Sequence, residues 1–374
     1  MWMLLLPLAA VLYHLWQRAR LLRAWEGCSR PLPAAGPPLS VIIAARNEAP
    51  NLARYLPAWL SQAYPDYELI LVLDRCTDES AAIALAVENP RLRVVHIDAC
   101  PSDWAPKKWA VDQGIRAARH AHLVLMDADC APEAGWLSEV GRHFAAGQEV
   151  VLGLGLYRQY PGWLNRLVQW ETAYTAWQYV GRAARGAPYM AVGRNLAYTR
   201  AFYERAGGMA RWRDRLSGDD DLLINAAAGE ARLGLMTVPG SRTWSEPPRT
   251  WREWWAQKTR HVSASRAYSL RSQRWLGAFH GSHVLFYAGI LLCLFVLPTA
   301  GPVFALYLGY AVTLAWLVRH LRRTDLPVPA FFLILDFLFF LYNISLVPIG
   351  LIKAPSWRNR NRKYPKTPWR TGSS

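Results

Sequence analysis

The apolar residues of this chain gather at its two ends, and that distribution constrains the architecture before any motif is read. Residues 283–297 form an uncharged apolar run, residues 302–318 form a second after a Pro/Gly break, and residues 326–352 form a third that Asp336, Asn343 and Pro348 interrupt. Runs of this length predict membrane segments, two to four passes over residues 283–352. At the other end, residues 1–16 are almost purely apolar and are followed by Arg18, Arg20 and Arg23. No basic residue precedes that run and no small-residue cleavage site follows it closely, so residues 1–17 read as a retained anchor rather than a cleaved signal. The run is shorter than the roughly 20 residues of a straight span, which also suits an interfacial helix. The arginines behind it place residues 18 onward on the cytosolic side. The same rule keeps the basic tail, residues 353–374, in the cytosol, whereas three full crossings would export it. A re-entrant or hairpin third segment, which Asp336 and Asn343 permit, reconciles the two.

Lysine and arginine total 43 against 27 acidic residues, a formal net charge of +16. Such an excess favours anionic partners, an anionic membrane surface or phosphorylated ligands. Nucleic acid is not expected as a partner: the basic residues form no long run in the globular part, and no zinc-finger, helix-turn-helix or RNA-platform signature occurs. Cys28, Cys76, Cys100, Cys130 and Cys293 have neither paired nor zinc-type spacing, which suits a reducing compartment. The expected location is the cell (inner) membrane, with the globular part cytosolic.

Between the apolar ends the chain reads as globular. Residues 31–38, rich in Pro, Ala and Gly, close a basic and Pro-rich linker over residues 18–38. Buried strands are predicted at 39–45, 67–74, 92–97 and 122–126, and helices at 51–63, 80–88 and 107–120. Strands that alternate with helices imply an α/β fold around a mostly parallel sheet. Ligands of such sheets bind beyond the carboxyl ends of the strands, where Arg46-Asn47-Glu48, Asp74 and the Asp127/Asp129 pair fall.

Asp127 and Asp129 follow the apolar Leu123-Val124-Leu125-Met126. Residues i and i+2 of an extended segment share a side, so two carboxylates there can share a hard cation that bridges phosphate oxygens. By itself the triplet is a common turn sequence; its position after the fourth strand gives it weight. Ser217-Gly218-Asp219-Asp220-Asp221-Leu222 is a second acidic cluster, before a helical stretch. One acid would suffice as a helix cap. Three adjacent ones repel, which raises the proton affinity of a member and suits a general base. Residues 251–261, rich in Trp and basic side chains, suit an interfacial amphipathic helix. Trp163, Leu167, Trp170, Tyr174 and Trp177 recur at helical spacing, a pattern of core or membrane-facing surface. No GxGxxG follows a strand, and neither a P-loop nor a GxSxG elbow occurs.

Several segments together resemble family 2 glycosyltransferases of the GT-A fold. Val41-Ile42-Ile43-Ala44-Ala45-Arg46-Asn47-Glu48 is similar to that family's first strand and nucleotide-binding turn. Leu73-Asp74-Arg75-Cys76-Thr77-Asp78 is similar to its DDxSxD segment, with Leu73 in place of the first acid. Pro106-Lys107-Lys108-Trp109-Ala110-Val111 resembles GKxxAL, Met126-Asp127-Ala128-Asp129 the DxD, Gly193-Arg194-Asn195 the GxN segment, and Ser217 to Leu222 TEDxDL. Gln257-Lys258-Thr259-Arg260 resembles Q/RxxRW with His261 where Trp is usual, and Trp357-Arg358-Asn359-Arg360 the segment after the last membrane helix.

The resemblance covers residues 39–265 and implies a transferase domain there, an interfacial connector at 266–282 and membrane segments at 283–352. It implies donor contacts from Ala45, Arg46, Glu48, Asp74, Lys107, Asp127, Ala128, Gln257 and Arg260. It implies a Mg²⁺ or Mn²⁺ on Asp127 and Asp129, and an acceptor side built from Asn195, Asp221 and His261. Asp219 is the base when the motif is anchored on Asp221-Leu222, and Asp220 under a looser anchoring. The expected activity is inverting transfer from a nucleotide sugar, a UDP-sugar first, to a membrane lipid. A processive polysaccharide synthase and a non-catalytic membrane scaffold are the alternatives; His261 in place of the aromatic residue argues for single transfer.

Overall fold

The computed structural model describes residues 4–26, 32–296 and 300–352. The chain opens on helix α1 (Leu5–Glu26). It continues through β1 (Leu39–Ala45), α2 (Ala49–Leu60), β2 (Tyr67–Asp74), α3 (Ser80–Leu85), β3 (Leu92–Ile97), α4 (Pro106–Ala117) and β4 (His122–Leu125). Next come β5 (Cys130–Pro132), α5 (Trp136–Ala145), β6 (Val150–Gly153), β7 (Gly155–Tyr157), α6 (Trp163–Ala184), β8 (Leu196–Thr199) and α7 (Arg200–Arg205). The last part holds α8 (Asp221–Ala227), β9 (Leu233–Met236), β10 (Thr243–Ser245), α9 (Trp251–Ala264), α10 (Leu270–Val296), α11 (Gly301–Arg323) and α12 (Phe332–Ile352).

Seven strands form the main sheet in the order β3-β2-β1-β4-β8-β6-β9; β8 runs antiparallel to both neighbours and the other pairs are parallel. A small sheet, β5-β10-β7, stands beside it. Strands covered on both faces read as near-continuous apolar runs. In β2 every residue of YELILVLD is buried. With period two, Val41, Ile43, Leu69 and Leu71 pack on Leu52, Tyr55 and Leu56 of α2. Ile42, Ile70 and Val72 turn the other way, onto Ala110, Val111 and Ile115 of α4. The expected α/β architecture with a mostly parallel sheet is the one observed.

Three helices, α10, α11 and α12, are long and apolar enough to cross a membrane. They leave Leu292, Phe295, Phe304, Val312 and Ile344 exposed, and α1 adds Leu5, Leu6 and Leu12. The structure redraws two sequence boundaries. Helix α1 does not stop at residue 17 but runs to Glu26, through part of the expected linker, because Arg18 is not a solvated flank. Its guanidinium is buried 3.5 Å from Asp336 of α12 and donates to Tyr310 of α11 (2.9 Å). Helix α10 starts at Leu270, so most of the expected connector at 266–282 is its first turns. The linker residues 27–31, Cys28 among them, and the basic tail with Trp357-Arg358-Asn359-Arg360 lie outside the described residues. The aromatic stripe is core: Leu167, Trp170, Tyr174 and Trp177 of α6 are buried among α1, α10 and α12, and only Trp163 is largely exposed.

At the end of the sheet away from the carboxyl termini of β1 and β2, Glu68 is buried. It accepts the Ser40 hydroxyl (2.7 Å), the Arg119 backbone N–H (2.6 Å) and the Arg119 side chain (2.9 Å). It ties β2 to β1 and to the turn before β4. Replacement Glu68→Ala leaves the Ser40 hydroxyl buried without its acceptor. It is expected to lower stability by about 2–3 kcal/mol in denaturant unfolding, while the protein that remains folded binds donor as before.

Candidate active site

The carboxyl ends of β2, β1 and β4 lie side by side, and the acids and cations behind them face one cavity of about 370 Å³. After β1 the chain turns at Asn47, whose φ of 56° is left-handed and whose Oδ1 accepts the Thr77 N–H (2.8 Å). After β2, Asp74 is gripped by Arg75 (2.7 and 3.0 Å) and approached by Arg46 (3.8 Å). Asp78 accepts the Ala49 and Ser80 N–H groups (3.1 and 3.0 Å), and Glu48 accepts the Asn51 amide (2.6 Å). These contacts lock the two turns together. Strand β4 ends one residue earlier than predicted, so Met126-Asp127-Ala128-Asp129 leaves the sheet and places both carboxylates on the cavity wall.

Lys107 joins the two acidic clusters. It stands in the first turn of α4, behind Pro106, the residue type that best fits that position. Its ammonium lies 2.8 Å from Asp127 Oδ1 and 2.7 Å from Asp219 Oδ2. Burial pulls its proton affinity down, but Asp127, Asp219 and Asp220 outweigh it and hold the ammonium well above the ordinary lysine range. Its neighbour Lys108 points the other way and is buried. It donates to the carbonyls of Trp212 and Ser217 (both 3.0 Å), and burial lowers it to about 8. Lys108 thereby anchors the segment that presents Asp219, a role the sequence reading did not assign. Two successive helical residues point about 100° apart, the signal that could have separated the lysines.

Three consecutive acids take three environments. Gly218, at φ 79°, is left-handed, and a Cβ there would meet Leu222 at 2.7 Å; it turns the chain into the cluster. Burial raises the proton affinity of Asp219, but Lys107 and Lys108 overcome it and hold the carboxyl below its ordinary value. Asp220 caps α8: its oxygens accept the N–H of Gly193 (2.6 Å) and of Asp221 (2.8 Å). Burial and the charge of Asp219 raise it to about 6. Asp221 accepts the Tyr268 hydroxyl (2.7 Å) and is pushed well above the carboxylate range by burial and by Asp220. The repulsion expected from the sequence thus falls on Asp220 and Asp221.

Across the cavity, burial and Asp127 raise Asp129, against the opposing charges of Arg194 and Lys107. Arg194 donates to Ser245 Oγ (2.6 Å) and the Gly155 carbonyl (3.0 Å), and its guanidinium lies 4.1 Å from the centre of the Tyr157 ring. Gln257 of α9 donates to the Tyr157 hydroxyl (3.0 Å); Arg260 and His261 follow on the same wall. Glu171 of α6 holds α9 in place by accepting from Lys258 (2.5 Å) and Trp254 (3.2 Å).

Ala45, Arg46, Glu48, Asp74, Lys107, Asp127, Ala128, Asp129, Asp219, Asp220, Asp221, Gln257, Arg260 and His261 all line this cavity. Asn195, expected on the acceptor side, does not. It is buried against Gly153, accepts from Trp136 Nε1 (2.9 Å) and donates to the carbonyls of Leu154 and Ser241 (both 3.0 Å). The preceding residue, Arg194, takes the cavity wall, because successive residues entering β8 point to opposite sides.

The raised Asp220 gives a pH signature. Its folded-state value lies near 6 against an ordinary 3.8, so its ionisation weakens the fold progressively as pH rises through that interval and fully above it. Asp220→Asn removes this cost and keeps one cap acceptor. The melting temperature of Asp220→Asn minus that of the parent should therefore increase from pH 4.5 to pH 7.5 in differential scanning fluorimetry.

Comparison with known proteins agrees with this geometry. Residues 37–264 match the family described as glycosyltransferase like family 2. The chain is 26% identical over 235 residues to the probable glycosyltransferase YdaM of Bacillus subtilis, covering 60% of this chain and 54% of YdaM. It thus spans about half the length of that relative. It is 32% identical over 105 residues to glycosyltransferase AglE of Haloferax volcanii, covering 27% of this chain and 33% of AglE. Among solved structures, the mannosyltransferase PcManGT of Pyrobaculum calidifontis, in complex with GDP-Man and Mn²⁺, superposes with a TM-score of 0.58 at 19% identity, over 91% of this chain and 99% of that one. With the family match covering the whole sheet and every wall of the cavity, this chain belongs to the family 2 glycosyltransferases, and its fold is GT-A-like.

Proposed function

We propose that the protein is an inverting glycosyltransferase that moves one sugar from its nucleotide-sugar donor to a membrane lipid at the cytosolic face. One observation carries the lipid reading. The cavity has the acids and Lys107 on one side, and on the other Thr172, Thr175 and Ala176 of α6 and Gln257 of α9. Both helices pack directly on α12, through Tyr174 against Phe339 (5.2 Å) and Trp254 against Tyr342 (5.7 Å). An acceptor with a lipid tail reaches Asp219 along that side without crossing the sheet. A glycine of α12, Gly350, abuts Thr259 and Val262 of α9. The chain therefore leaves α12 beside the catalytic domain, which supports a third apolar segment that does not carry the basic tail across the membrane. Basic residues at that face suit an anionic membrane surface.

Asp127 and Asp129 fit a divalent metal. They are hard oxygen donors on one wall, and Asp129 carries a proton affinity raised by burial and by Asp127, a strain that a cation removes. Two carboxylates leave coordination positions for phosphate oxygens and water, the usual Mg²⁺ arrangement. Bound there, Mg²⁺ or Mn²⁺ supplies Lewis-acid charge to the donor diphosphate; the Mn²⁺ in PcManGT supports the same reading. Lys107 and Arg260 add positive charge at the leaving group. Asp219, kept ionised by Lys107, takes the proton of the acceptor hydroxyl, which attacks the anomeric carbon opposite the diphosphate and inverts it. Asp220 positions this carboxylate by capping α8. Ala45, Arg46, Glu48 and Asp74 hold the nucleoside end. A UDP-sugar is the first donor to test and GDP-mannose, the donor in the PcManGT complex, the second.

Side-by-side variants test the assignment on the protein reconstituted with lipid and donor. Asp219→Asn should lower sugar transfer at least about 10³-fold, whereas Asp220→Asn, which still caps the helix, should lose no more than about tenfold. Full transfer by Asp219→Asn would remove the base from this residue. Asp129→Asn should abolish the dependence on added Mn²⁺ and most of the transfer; normal metal-dependent transfer in that variant would sink the metal assignment. Lipid mass spectrometry should show a single added sugar. A ladder of increments would instead identify a polymer synthase, and absence of both transfer and donor hydrolysis a scaffold.

A further inference from the structure

A second cavity, of about 410 Å³, lies where the C-terminal end of α6, the last turn of α8 and the first turn of α10 meet. Its lining includes Arg182, Arg205, Arg211 and Arg271, with one acid, Glu230, and the hydroxyls of Ser269 and Ser272. Of these arginines, Arg205 is already paired, with Glu149 (2.9 Å). Arg182 and Arg271 form no ion pair among the described residues. The guanidinium of Arg182 lies over the Trp275 ring (4.4 Å), and its Nε is buried without a hydrogen-bond partner. Burial and the neighbouring charges of Arg271, Arg185 and Arg20 hold Arg182 below its ordinary value. Arg182 of α6 and Arg271 of α10 thus face this cavity as cations without an ion pair among the described residues, a local excess of positive charge that favours an anionic ligand.

Depth selects the kind of anion. Helix α10 enters its apolar stretch after Arg271 and Arg274, and Gly181 of α6 sits against Leu21 of α1, beside Arg20. The cavity is therefore at the level where the apolar helices begin, the level of lipid phosphates. Planar guanidinium groups with two flanking hydroxyls match a phosphate better than a carboxylate-free pocket of lysines would.

We propose that this cavity binds a phosphate group, carried by the head group of an anionic lipid or free in solution, at a site separate from the transfer centre. The proposal does not rest on the transfer chemistry. Full-length protein in nanodiscs of phosphatidylcholine provides the test, with melting temperature as the readout. Phosphatidylglycerol added to the disc should raise it, and the double variant Arg182→Gln/Arg271→Gln should weaken the apparent affinity for that lipid roughly 30-fold, about 1 kcal/mol per arginine near a surface. A control that removes equal charge at the end of α11, Arg319→Gln/Arg323→Gln, should leave most of the rise. An unchanged melting temperature of the double variant in pure phosphatidylcholine shows that it folds, and Arg182→Lys/Arg271→Lys should recover part of the response. A rise with 10 mM inorganic phosphate in pure phosphatidylcholine, lost in the double variant, keeps the site and assigns its ligand to solution. No response to either phosphate source, or equal losses in the two Gln pairs, overturns it.

Discussion

The arrangement of the candidate active site depends on where the ammonium of Lys107 sits. At 2.8 Å from Asp127 and 2.7 Å from Asp219, it joins the acids that follow β4 to the acids that precede α8, two clusters separated by 90 residues of chain. Asp127, Asp129 and Asp219 to Asp221 line one small cavity, and without a cation among them their repulsion would force some to stay protonated. Lys107 settles the distribution. Of the two acids it touches, Asp219 is held below its ordinary value, while Asp220 and Asp221, which it does not touch, are raised. The proposed base, Asp219, and the carboxylate that caps α8, Asp220, thereby differ in environment although they are neighbours in sequence.

Buried charges also fasten the catalytic domain to the apolar helices. Glu171 receives Lys258 and Trp254 and so joins α6 to α9. Arg18 of α1, Tyr174 of α6, Tyr310 of α11 and Asp336 of α12 form a second knot, which His283 and Tyr287 of α10 complete at Asp336 (3.1 and 2.9 Å). Charges held this deep are costly to separate, since removing either partner strands the other. The apolar helices are consequently in fixed register with α6, which lines the cavity through Thr172, Thr175 and Ala176. In a membrane, where apolar packing alone distinguishes helix faces poorly, such polar contacts set which face of each helix turns inward.

The strands at 39–45 and 67–74 were legible in the sequence because burial on both faces makes them near-continuous apolar runs, and the edge strand at 92–97, only partly buried, was bounded as observed too. The ends of elements were less so. Arg18, Arg20 and Arg23 looked like a solvated flank, and only the distant Asp336 and Tyr310 show that Arg18 continues the helix inward. The site was legible to the extent that its residues follow strands, as Arg46, Asp74 and Asp127 do. Asn195 and Arg194 exchanged roles because a motif names positions and does not say which of two successive side chains faces the cavity. Lys108, Tyr157 and Tyr268 carry no local signal, and their importance arises from partners 47 or more positions away. The proposal of Asp219 over Asp220 as base likewise rests on three dimensions, on which carboxylate meets Lys107 and which meets the N–H of Gly193.

The two cavities share one short element. Helix α8 is seven residues, about 10 Å at 1.5 Å per residue, with Asp220 and Asp221 at its start and Asn225 to Ala227 at its end, beside the arginines. Two consecutive residues grip both ends: the hydroxyl of Tyr268 donates to Asp221 (2.7 Å), and the N–H of Ser269 donates to the side chain of Asn225 (2.7 Å). Ser269 also receives the Ser272 N–H at the start of α10 (3.4 Å). An anion bound at the proposed site on Arg271 and the serines would therefore act on the same segment, residues 268–272, that contacts both ends of α8. Because α8 is too short to bend between its two anchors, immobilising that segment immobilises the acid cluster as well. The position of the acid cluster is thus tied to the start of α10 through two hydrogen bonds and one short helix.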